Sequence, residues 1–147
     1  MKSTLFSTFI IAVLLLANSC TADTEDIIPN ISFTARLNYI ATDPQYNQNN
    51  PFIVTHDSYG NYIGTAGVVI FMLTQEEYYV FDLMCPYEKQ ISSLVEIEEN
   101  GINCVCPTCG SKFAIANEYG GLLEGPSNWS LKKYNSEVRD GTLYIWN

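Results

Sequence analysis

Four cysteines in the C-terminal half of the chain are the residues most able to do chemistry. Cys106 and Cys109 are separated by two residues in the run Cys-Pro-Thr-Cys-Gly, Cys104 lies just upstream, and Cys85 begins a separate Cys-Pro-Tyr run. Thiolates at such spacing bind soft metal ions, and neighbouring thiols in an oxidising compartment form disulfides. The cysteines therefore indicate a metal site, an iron–sulfur site or a disulfide in this part of the chain.

Several kinds of chemistry are open to these cysteines. An all-thiolate [2Fe–2S] cluster would use all four, whereas a zinc or mononuclear iron site would use the Cys-Pro-x-Cys-Gly knuckle, which is similar to those of rubredoxins and zinc ribbons. Cys104 and Cys106 form an i, i+2 pair on one strand face, which is awkward for two ligands of one tetrahedral ion. Thiol–disulfide exchange is disfavoured, because such enzymes place the first thiol at a helix start and the flanking residues here predict strand.

The first 20 residues have the layout of a bacterial export signal. Lys2 supplies a positive charge, an apolar run covers residues 5–17, and small or polar residues lead to Cys20. The apolar run is too short to span a bilayer. Its end, Leu-Ala-Asn-Ser-Cys, resembles a lipobox, so we predict a signal peptide over residues 1–19 and a lipid anchor on Cys20. The alternative is ordinary cleavage at the same bond, which would leave Cys20 unmodified and an odd number of thiols.

The rest of the chain predicts one folded domain on a tether. Residues 20–30 are polar and acidic and read as the tether, and residues 31–147 are long enough to form a single hydrophobic core. Seven Lys and Arg against sixteen Asp and Glu give the chain a net charge of −9. This balance argues against nucleic acid as a partner. We expect an exported protein of the bacterial cell envelope, anchored to a membrane through the lipid on Cys20 and facing the periplasm or the cell surface.

Beyond the tether the pattern predicts β-structure throughout. Alternating or continuous apolar runs of strand length recur between turn signals, and no long window has a helical period. Asn100-Gly101 is a strong hairpin signal between two of these runs. The strand candidates are residues 31–40, 51–56, 67–73, 78–84, 94–97, 102–105, 113–116, 131–134 and 142–146. We therefore expect an all-β domain of nine or ten short strands, in which strand ends deliver Cys85 and Cys106.

The two cysteine runs resemble the cluster-binding loops of Rieske iron–sulfur proteins. In that family C-x-H is followed by C-x-x-H-G-S, and two Cys hold one iron while two His hold the other. Here Cys85 and Cys106 match the family's cysteines, but Tyr87 and Cys109 stand at the two histidine positions. Further family marks follow the second run in the expected order, namely Gly110-Ser111, Phe113, Gly120-Gly121, Gly125-Pro126, Leu131 and residues 140–145.

The resemblance is closest over the C-terminal half of the chain and extends to Rieske-like lipoproteins of the Bacteroidetes. It implies an antiparallel β-sandwich base that carries a small subdomain with two cluster-binding loops. Exported Rieske proteins generally carry a twin-arginine signal and cross the membrane with the cluster already inserted, whereas Met1-Lys2-Ser3-Thr4 contains no arginine pair. The resemblance therefore implies iron–sulfur ancestry without a standard cluster.

We interpret the domain as a binding or structural module of the envelope and not as an enzyme, unless it serves as an electron carrier. Its partner would be an envelope protein or a small ligand, and a disulfide from Cys85 to Cys106 or Cys109 would replace the cluster as the link between the loops. The alternatives are a [2Fe–2S] electron-transfer protein with cysteine-rich ligation and a protein with a Cys-ligated zinc or mononuclear iron ion. The candidate ligands are Cys85, Cys104, Cys106 and Cys109, and neither the lone His56 nor Tyr87 is expected to bind metal.

Overall fold

The computed structural model describes residues 27–47 and 50–147. The predicted signal peptide, the predicted lipidation site Cys20 and most of the predicted tether lie outside the described residues. The part of the tether that is described packs on the domain, since Ile28 is buried and the backbone carbonyl of Pro29 accepts a hydrogen bond of 3.0 Å from Lys132 Nζ. Within the described ranges, no helix is both long and apolar enough to cross a membrane.

The described chain forms ten β-strands and one short helix. The strands are β1 (Thr34–Leu37), β2 (Phe52–Val54), β3 (Val68–Met72), β4 (Tyr78–Asp82), β5 (Glu96–Ile97), β6 (Asn103–Val105), β7 (Lys112–Ala114), β8 (Leu122–Glu124), β9 (Lys133–Arg139) and β10 (Thr142–Trp146), and the helix is α1 (Pro44–Asn47). The expectation of an all-β domain with nine or ten short strands is confirmed. Strand β8 and the single-turn helix were not predicted, because neither has an apolar pattern long enough to be recognised.

The strands form two antiparallel sheets. The larger sheet has the order β1-β10-β9-β4-β3-β2, and the smaller sheet has the order β5-β6-β7-β8. We call the larger sheet the base and the smaller sheet, with its connecting loops, the tip. The chain passes from base to tip at the end of β4, and it returns to the base along β9, which pairs with β4.

Strands β3 and β4 lie between two hydrophobic cores, which explains why β3 reads as a continuous apolar run. Val68 and Ile70 face one core and Val69 faces the other, as the two-residue period of a strand requires. The base core comprises Leu37, Ile40, Ile63, Val68, Ile70, Val80, Tyr134, Leu143 and Ile145 with their neighbours. The tip core comprises Val69, Phe81, Leu83, Cys85, Val95, Cys104, Cys106, Phe113, Ile115 and Leu131.

The predicted hairpin at Asn100-Gly101 is present and joins β5 to β6. Gly101 has a φ of 67°, a conformation that a residue without a Cβ adopts at little cost. The side-chain oxygen of Asn100 accepts hydrogen bonds from the amides of Ile102 and Asn103, at 3.0 and 3.1 Å. This turn sets the register of β6 and hence the position at which Cys106 leaves the sheet.

The first predicted strand is shorter than expected. The pattern over residues 31–40 predicted one strand, but β1 ends at Leu37. Tyr39 has a φ of 57°, and its carbonyl accepts hydrogen bonds from the amides of Thr42 and Asp43 at 2.9 and 2.8 Å. The chain therefore turns at Tyr39, although Ile40 continues the apolar pattern and is buried in the base core.

Candidate metal centre

Two loops at the tip carry the candidate ligands. The first cysteine loop, residues 85–93, follows β4, and its ends are joined by a hydrogen bond of 3.0 Å from the Cys85 amide to the Ser93 carbonyl. The second cysteine loop, residues 106–110, connects β6 to β7. It is closed by a hydrogen bond of 2.8 Å from the Gly110 amide to the Cys106 carbonyl. Backbone hydrogen bonds therefore close both loops at their ends.

Three thiols converge where these loops meet. The sulfur atoms of Cys85, Cys106 and Cys109 all lie within 4.8 Å of one another, and the Cys85 and Cys109 sulfurs are 3.7 Å apart. Cys85 and Cys106 are fully buried, and Cys109 is half-buried. A tetrahedral ion with metal–sulfur bonds of about 2.3 Å holds its ligand sulfurs about 3.8 Å apart. The observed spacing thus resembles that of a single ion bound by three thiolates.

The fourth predicted ligand, Cys104, is not brought into this group. It lies on β6 opposite Phe113 of β7 and is buried in the tip core. Burial, with a smaller contribution from the Glu98 carboxylate, raises the pKa of Cys104 to about 12. Cys104 is therefore a neutral, apolar part of the core in this arrangement.

The other thiols differ in how readily they ionise. Burial raises the pKa of Cys85 to about 12, although the amides of Tyr87 and Glu88 donate to its sulfur and act in the opposite direction. Burial would also raise the pKa of Cys109, but hydrogen bonds from Ser111 outweigh it, and the pKa lies below its ordinary value. In the metal-free protein Cys109 is therefore the more easily ionised of this pair. Metal binding would displace the proton that burial holds on Cys85.

His56 does not join the three converging thiols, and Tyr87 donates its backbone amide to the Cys85 sulfur. Tyr87 follows Cys85 in the first loop, and its side chain is 44% exposed. His56 is exposed on the base, where its ring packs on Tyr62 with centroids 4.1 Å apart and its Nδ1 lies 3.0 Å from the Thr55 hydroxyl oxygen. Neither residue supplies the imidazole ligand that a Rieske centre needs.

A third loop, residues 125–129, supports the second cysteine loop. The Ser127 amide donates a hydrogen bond of 3.1 Å to Ser111 Oγ, and the same oxygen lies 3.2 Å from the Cys109 sulfur. Because the Ser127 amide already occupies Ser111 Oγ as an acceptor, the hydroxyl hydrogen is free to bond a Cys109 thiolate. Sequence reasoning noted Gly125-Pro126 only as a mark of the fold and missed its role at the site.

The third loop also reaches the first cysteine loop. The ammonium group of Lys89 lies 4.8 Å from the ring centroid of Trp129, close enough for a cation–π contact. A Cβ on Gly125 would lie only 2.5 Å from the Ser111 Cα atom, so the third loop passes directly over the backbone beside Cys109. Three loops, not two, thus hold the candidate site together.

The residues present do not fit the [2Fe–2S] group of Rieske proteins. No histidine joins the three converging thiols in the described part of the chain, and Cys104 does not join them. Two ligands on different irons stand farther apart than two on one ion, because a second metal separates them. Three sulfurs within 4.8 Å therefore match one metal ion better than two irons.

Comparison with known proteins supports the fold. No protein-family model and no curated protein matches the chain. A chain from the complex of reduced oxygenase and oxidised ferredoxin in carbazole 1,9a-dioxygenase superposes with a TM-score of 0.50 at 16% identity, covering 77% of this chain and 92% of its own. A candidate small subunit of an NADH-dependent nitrite reductase from Mycobacterium tuberculosis superposes with a TM-score of 0.44 at 16% identity. The match covers 80% of this chain and 97% of that subunit. Together with the two antiparallel sheets, the first similarity shows that the domain has a Rieske-like all-β fold.

Proposed function

We propose that this protein is an exported envelope lipoprotein whose Rieske-like domain has lost the standard cluster and instead binds one thiophilic metal ion, iron or zinc. Cys85, Cys106 and Cys109 are its ligands. The observation that carries the proposal is the convergence of these three sulfurs at the junction of two loops. The ligand set differs from that of Rieske proteins because Tyr87 and Cys109 occupy the two histidine positions of the motif.

Three surrounding features favour metal binding over three inert thiols. Soft thiolates prefer zinc, iron and copper(I) to hard cations. The amides of Tyr87 and Glu88 point at the Cys85 sulfur and stabilise a thiolate there. Cys109 is the least buried of the three and leaves the group partly accessible to an ion from solvent. A bound ion would link the two loops and leave one coordination position for a water molecule or a partner.

The metal content of the protein tests the proposal. We expect about one iron or zinc ion per chain in protein purified from its native envelope without chelators. The Cys109→Ser variant should lose the ion. The matched control Cys104→Ala should retain it, because Cys104 lies outside the three-sulfur group.

Two other results would contradict the proposal. About two irons per chain with a visible absorption band would establish a [2Fe–2S] electron carrier with cysteine-rich ligation. Full metal occupancy in the Cys109→Ser variant would show that the three sulfurs are not the ligand set.

A metal-free module stapled by a disulfide is the second candidate function. The observation in its favour is the 3.7 Å separation of the Cys85 and Cys109 sulfurs, which places one thiol from each loop within reach of a disulfide after small side-chain rotations. The described cysteines are free thiols in this structure. Intact mass under non-reducing conditions decides between the two, because a disulfide lowers the mass by two hydrogens and blocks two of the thiols.

The proposed localisation rests on the N-terminal residues. The short apolar run and the lipobox-like sequence before Cys20 support export and lipidation of that cysteine. We expect metabolic labelling with a radioactive fatty acid to modify the wild-type chain and not a Cys20→Ala variant, which should also leave the membrane fraction. Labelling of the Cys20→Ala variant would refute the proposed anchor.

The membrane is therefore the first proposed partner, through the lipid on Cys20. An envelope protein or a small ligand at the tip is the second. Apolar side chains are exposed in the loops that carry or support the thiols, with Tyr87 at 44%, Ile91 at 70% and Trp129 at 40% exposure. The net charge of −9 argues against nucleic acid in either role.

A further inference from the structure

A buried carboxylate lies where the base meets the tip. Asp82, the last residue of β4, is fully buried and stands three residues before Cys85. Its Oδ2 accepts hydrogen bonds of 2.6 Å from the Tyr134 hydroxyl and 2.7 Å from the Thr65 amide. Its Oδ1 accepts a hydrogen bond of 2.8 Å from the Met84 amide. Burying a charged group costs free energy unless hydrogen bonds compensate for the lost hydration, as they do here. A carboxylate at this position therefore indicates a role other than packing.

The surroundings leave this carboxylate little freedom. Tyr134 is buried in the base core, and burial, with the adjacent Asp82, raises the pKa of its phenol, so that it remains a hydrogen-bond donor. Gly64 has a φ of 67°, and a Cβ there would lie 2.7 Å from Asp82 Oδ2 and 2.9 Å from the Tyr134 ring. The loop that carries Gly64 and Thr65 therefore closes tightly over the pair.

The hydrogen bonds of Asp82 hold the backbone segment that leads into the first cysteine loop. Three consecutive amides in this segment have partners: Leu83 donates to the Gly67 carbonyl, Met84 to Asp82, and Cys85 to the Ser93 carbonyl. Of these three bonds, only that of Met84 depends on a side chain. The Leu83 bond joins the segment to the backbone before β3, and the Met84 bond joins it through Asp82 to the side chain of Tyr134 in the base core.

We propose that Asp82 and Tyr134 form a positioning pair that fixes the backbone before Cys85 and thereby aims its thiol at Cys106 and Cys109. The pair does not touch the sulfurs and acts through the Met84 amide. Its benefit to metal binding rests on the function proposed above. Its effect on the backbone at Met84 does not depend on that function.

Hydrogen exchange tests the pair, and the chain provides a matched control. Tyr134→Phe removes one hydroxyl that bonds Asp82. Tyr78→Phe removes an equally buried hydroxyl, for which no partner is found among the described residues. In the full mature protein as purified, we expect Tyr134→Phe to speed exchange of the Met84 and Cys85 amides about tenfold, the scale of one lost hydrogen bond to a charged group. Amides around Cys104 in Tyr134→Phe, and all amides in Tyr78→Phe, should exchange at the wild-type rate.

A purely structural role for Tyr134 would speed exchange equally at Met84 and at Cys104, and that result would overturn the proposal. Asp82→Asn provides a second variant, because it keeps the size of the side chain and places an amide NH₂ against groups that donate. Asp82→Asn should speed exchange of the Met84 and Cys85 amides by a larger factor than Tyr134→Phe does. Unchanged exchange at Met84 in both folded variants would also refute the pair.

Metal affinity separates this proposal from the proposed function. Titration with zinc should show about tenfold weaker binding in Tyr134→Phe than in wild type or Tyr78→Phe. If no variant and no wild-type protein binds zinc, the metal proposal fails while the exchange result still tests the positioning pair. The other outcome is equal zinc affinity in the wild type and both variants, with faster exchange of the Met84 amide in Tyr134→Phe. The pair would then stabilise the backbone without positioning the Cys85 thiol, and the positioning proposal would fail.

Discussion

The base and the tip are built from the same kind of strand but are stabilised differently. The base core consists of aliphatic and aromatic side chains, among them three tyrosines, and no cysteine is among its described members. The tip core is smaller, and three of its ten buried members are cysteines. The base therefore supplies a rigid support, whereas the tip combines packing and chemistry in the same side chains.

The tip depends on the base for its packing, whereas the base core is complete without the tip. Val69 and Phe81, on base strands, complete the tip core, so the tip cannot pack without the base. The base core takes no residue from β5, β6, β7 or β8 and should persist when the tip is disrupted. The two tryptophans of the chain report separately on these regions, since Trp129 lies in the third tip loop and Trp146 ends β10 of the base.

The largest expected effects come from buried isoleucines, one in each core. Ile70→Ala in the base and Ile115→Ala in the tip should each destabilise the protein by about 2–5 kcal/mol, through lost burial and the cavity left behind. Ile70→Ala should lower the denaturation midpoint reported by both tryptophans. Ile115→Ala should lower the midpoint of Trp129 and leave that of Trp146 near the wild-type value. Urea denaturation followed by the fluorescence of single-tryptophan variants, Trp129→Phe and Trp146→Phe, measures both.

Equal shifts of the two midpoints in Ile115→Ala would show that base and tip unfold as one unit. That outcome would contradict the comparison, because the tip would then stabilise the base as much as the base stabilises the tip.

Glycine substitutions give an intermediate effect. Gly125 and Gly141 both have left-handed φ angles, of 108° and 72°, so alanine costs about 1–2 kcal/mol of backbone strain at either position. A Cβ at Gly125 would also meet the Ser111 backbone at 2.5 Å, whereas at Gly141 it meets nothing within 4 Å. Gly125→Ala should therefore lose more stability than Gly141→Ala and should alone weaken metal binding. Equal losses in the two variants, measured by thermal unfolding, would mean that the third loop does not support the site.

Cys104 and Cys109 should affect the pH dependence of stability in opposite ways. The pKa of Cys104 is raised by burial to about 12 from an ordinary value of 9.0. Its neutral form is favoured in the fold, so its contribution to stability is complete below pH 9 and is lost as pH rises toward about 12. The pKa of Cys109 is shifted downward, so its contribution is present above pH 9 and is lost as pH falls through the folded-state pKa.

The two cysteines therefore predict opposite changes in variants of the metal-free protein. Cys104→Ala should flatten the decline of unfolding free energy between about pH 9 and 12. Cys109→Ala should instead remove a rise of unfolding free energy that occurs below pH 9, as pH increases through the lowered folded-state pKa of Cys109. Urea denaturation at several pH values measures both slopes. An unchanged pH dependence below pH 9 in the Cys109→Ala variant would contradict the hydrogen-bonding role of Ser111.

The smallest effect is expected on the outer surface of the tip sheet. Lys112 lies 3.4 Å from Glu98 and 3.6 Å from Glu124, and its side chain is 38% exposed. Exposed ion pairs contribute little, so Lys112→Met should change stability by less than about 1 kcal/mol and leave metal binding unaltered. A larger loss by chemical denaturation would show that the tip depends on its surface charges as well as on its core.

Local sequence patterns determined most of the strands of this protein and the hairpin that precedes Cys106. Apolar periodicity predicted nine of the ten strands, and Asn100-Gly101 predicted the hairpin before Cys106, because both signals depend only on residues close in the chain. The order of motifs around the cysteines indicated the Rieske-like fold, which the structure confirms. The short strand β8 was missed, because its residues are largely exposed and carry no apolar alternation.

The tertiary structure alone decided which side chains meet. The sequence placed all four cysteines together as candidate ligands, but the packing of β6 against β7 turns Cys104 into the tip core and leaves the sulfurs of Cys85, Cys106 and Cys109 in contact range. Asp82 and Tyr134 are 52 positions apart, and Ser111 and Ser127 are 16 apart. No local pattern predicts such contacts, because they depend on sheet order and register, which arise from burying both faces of β3 and β4 at once.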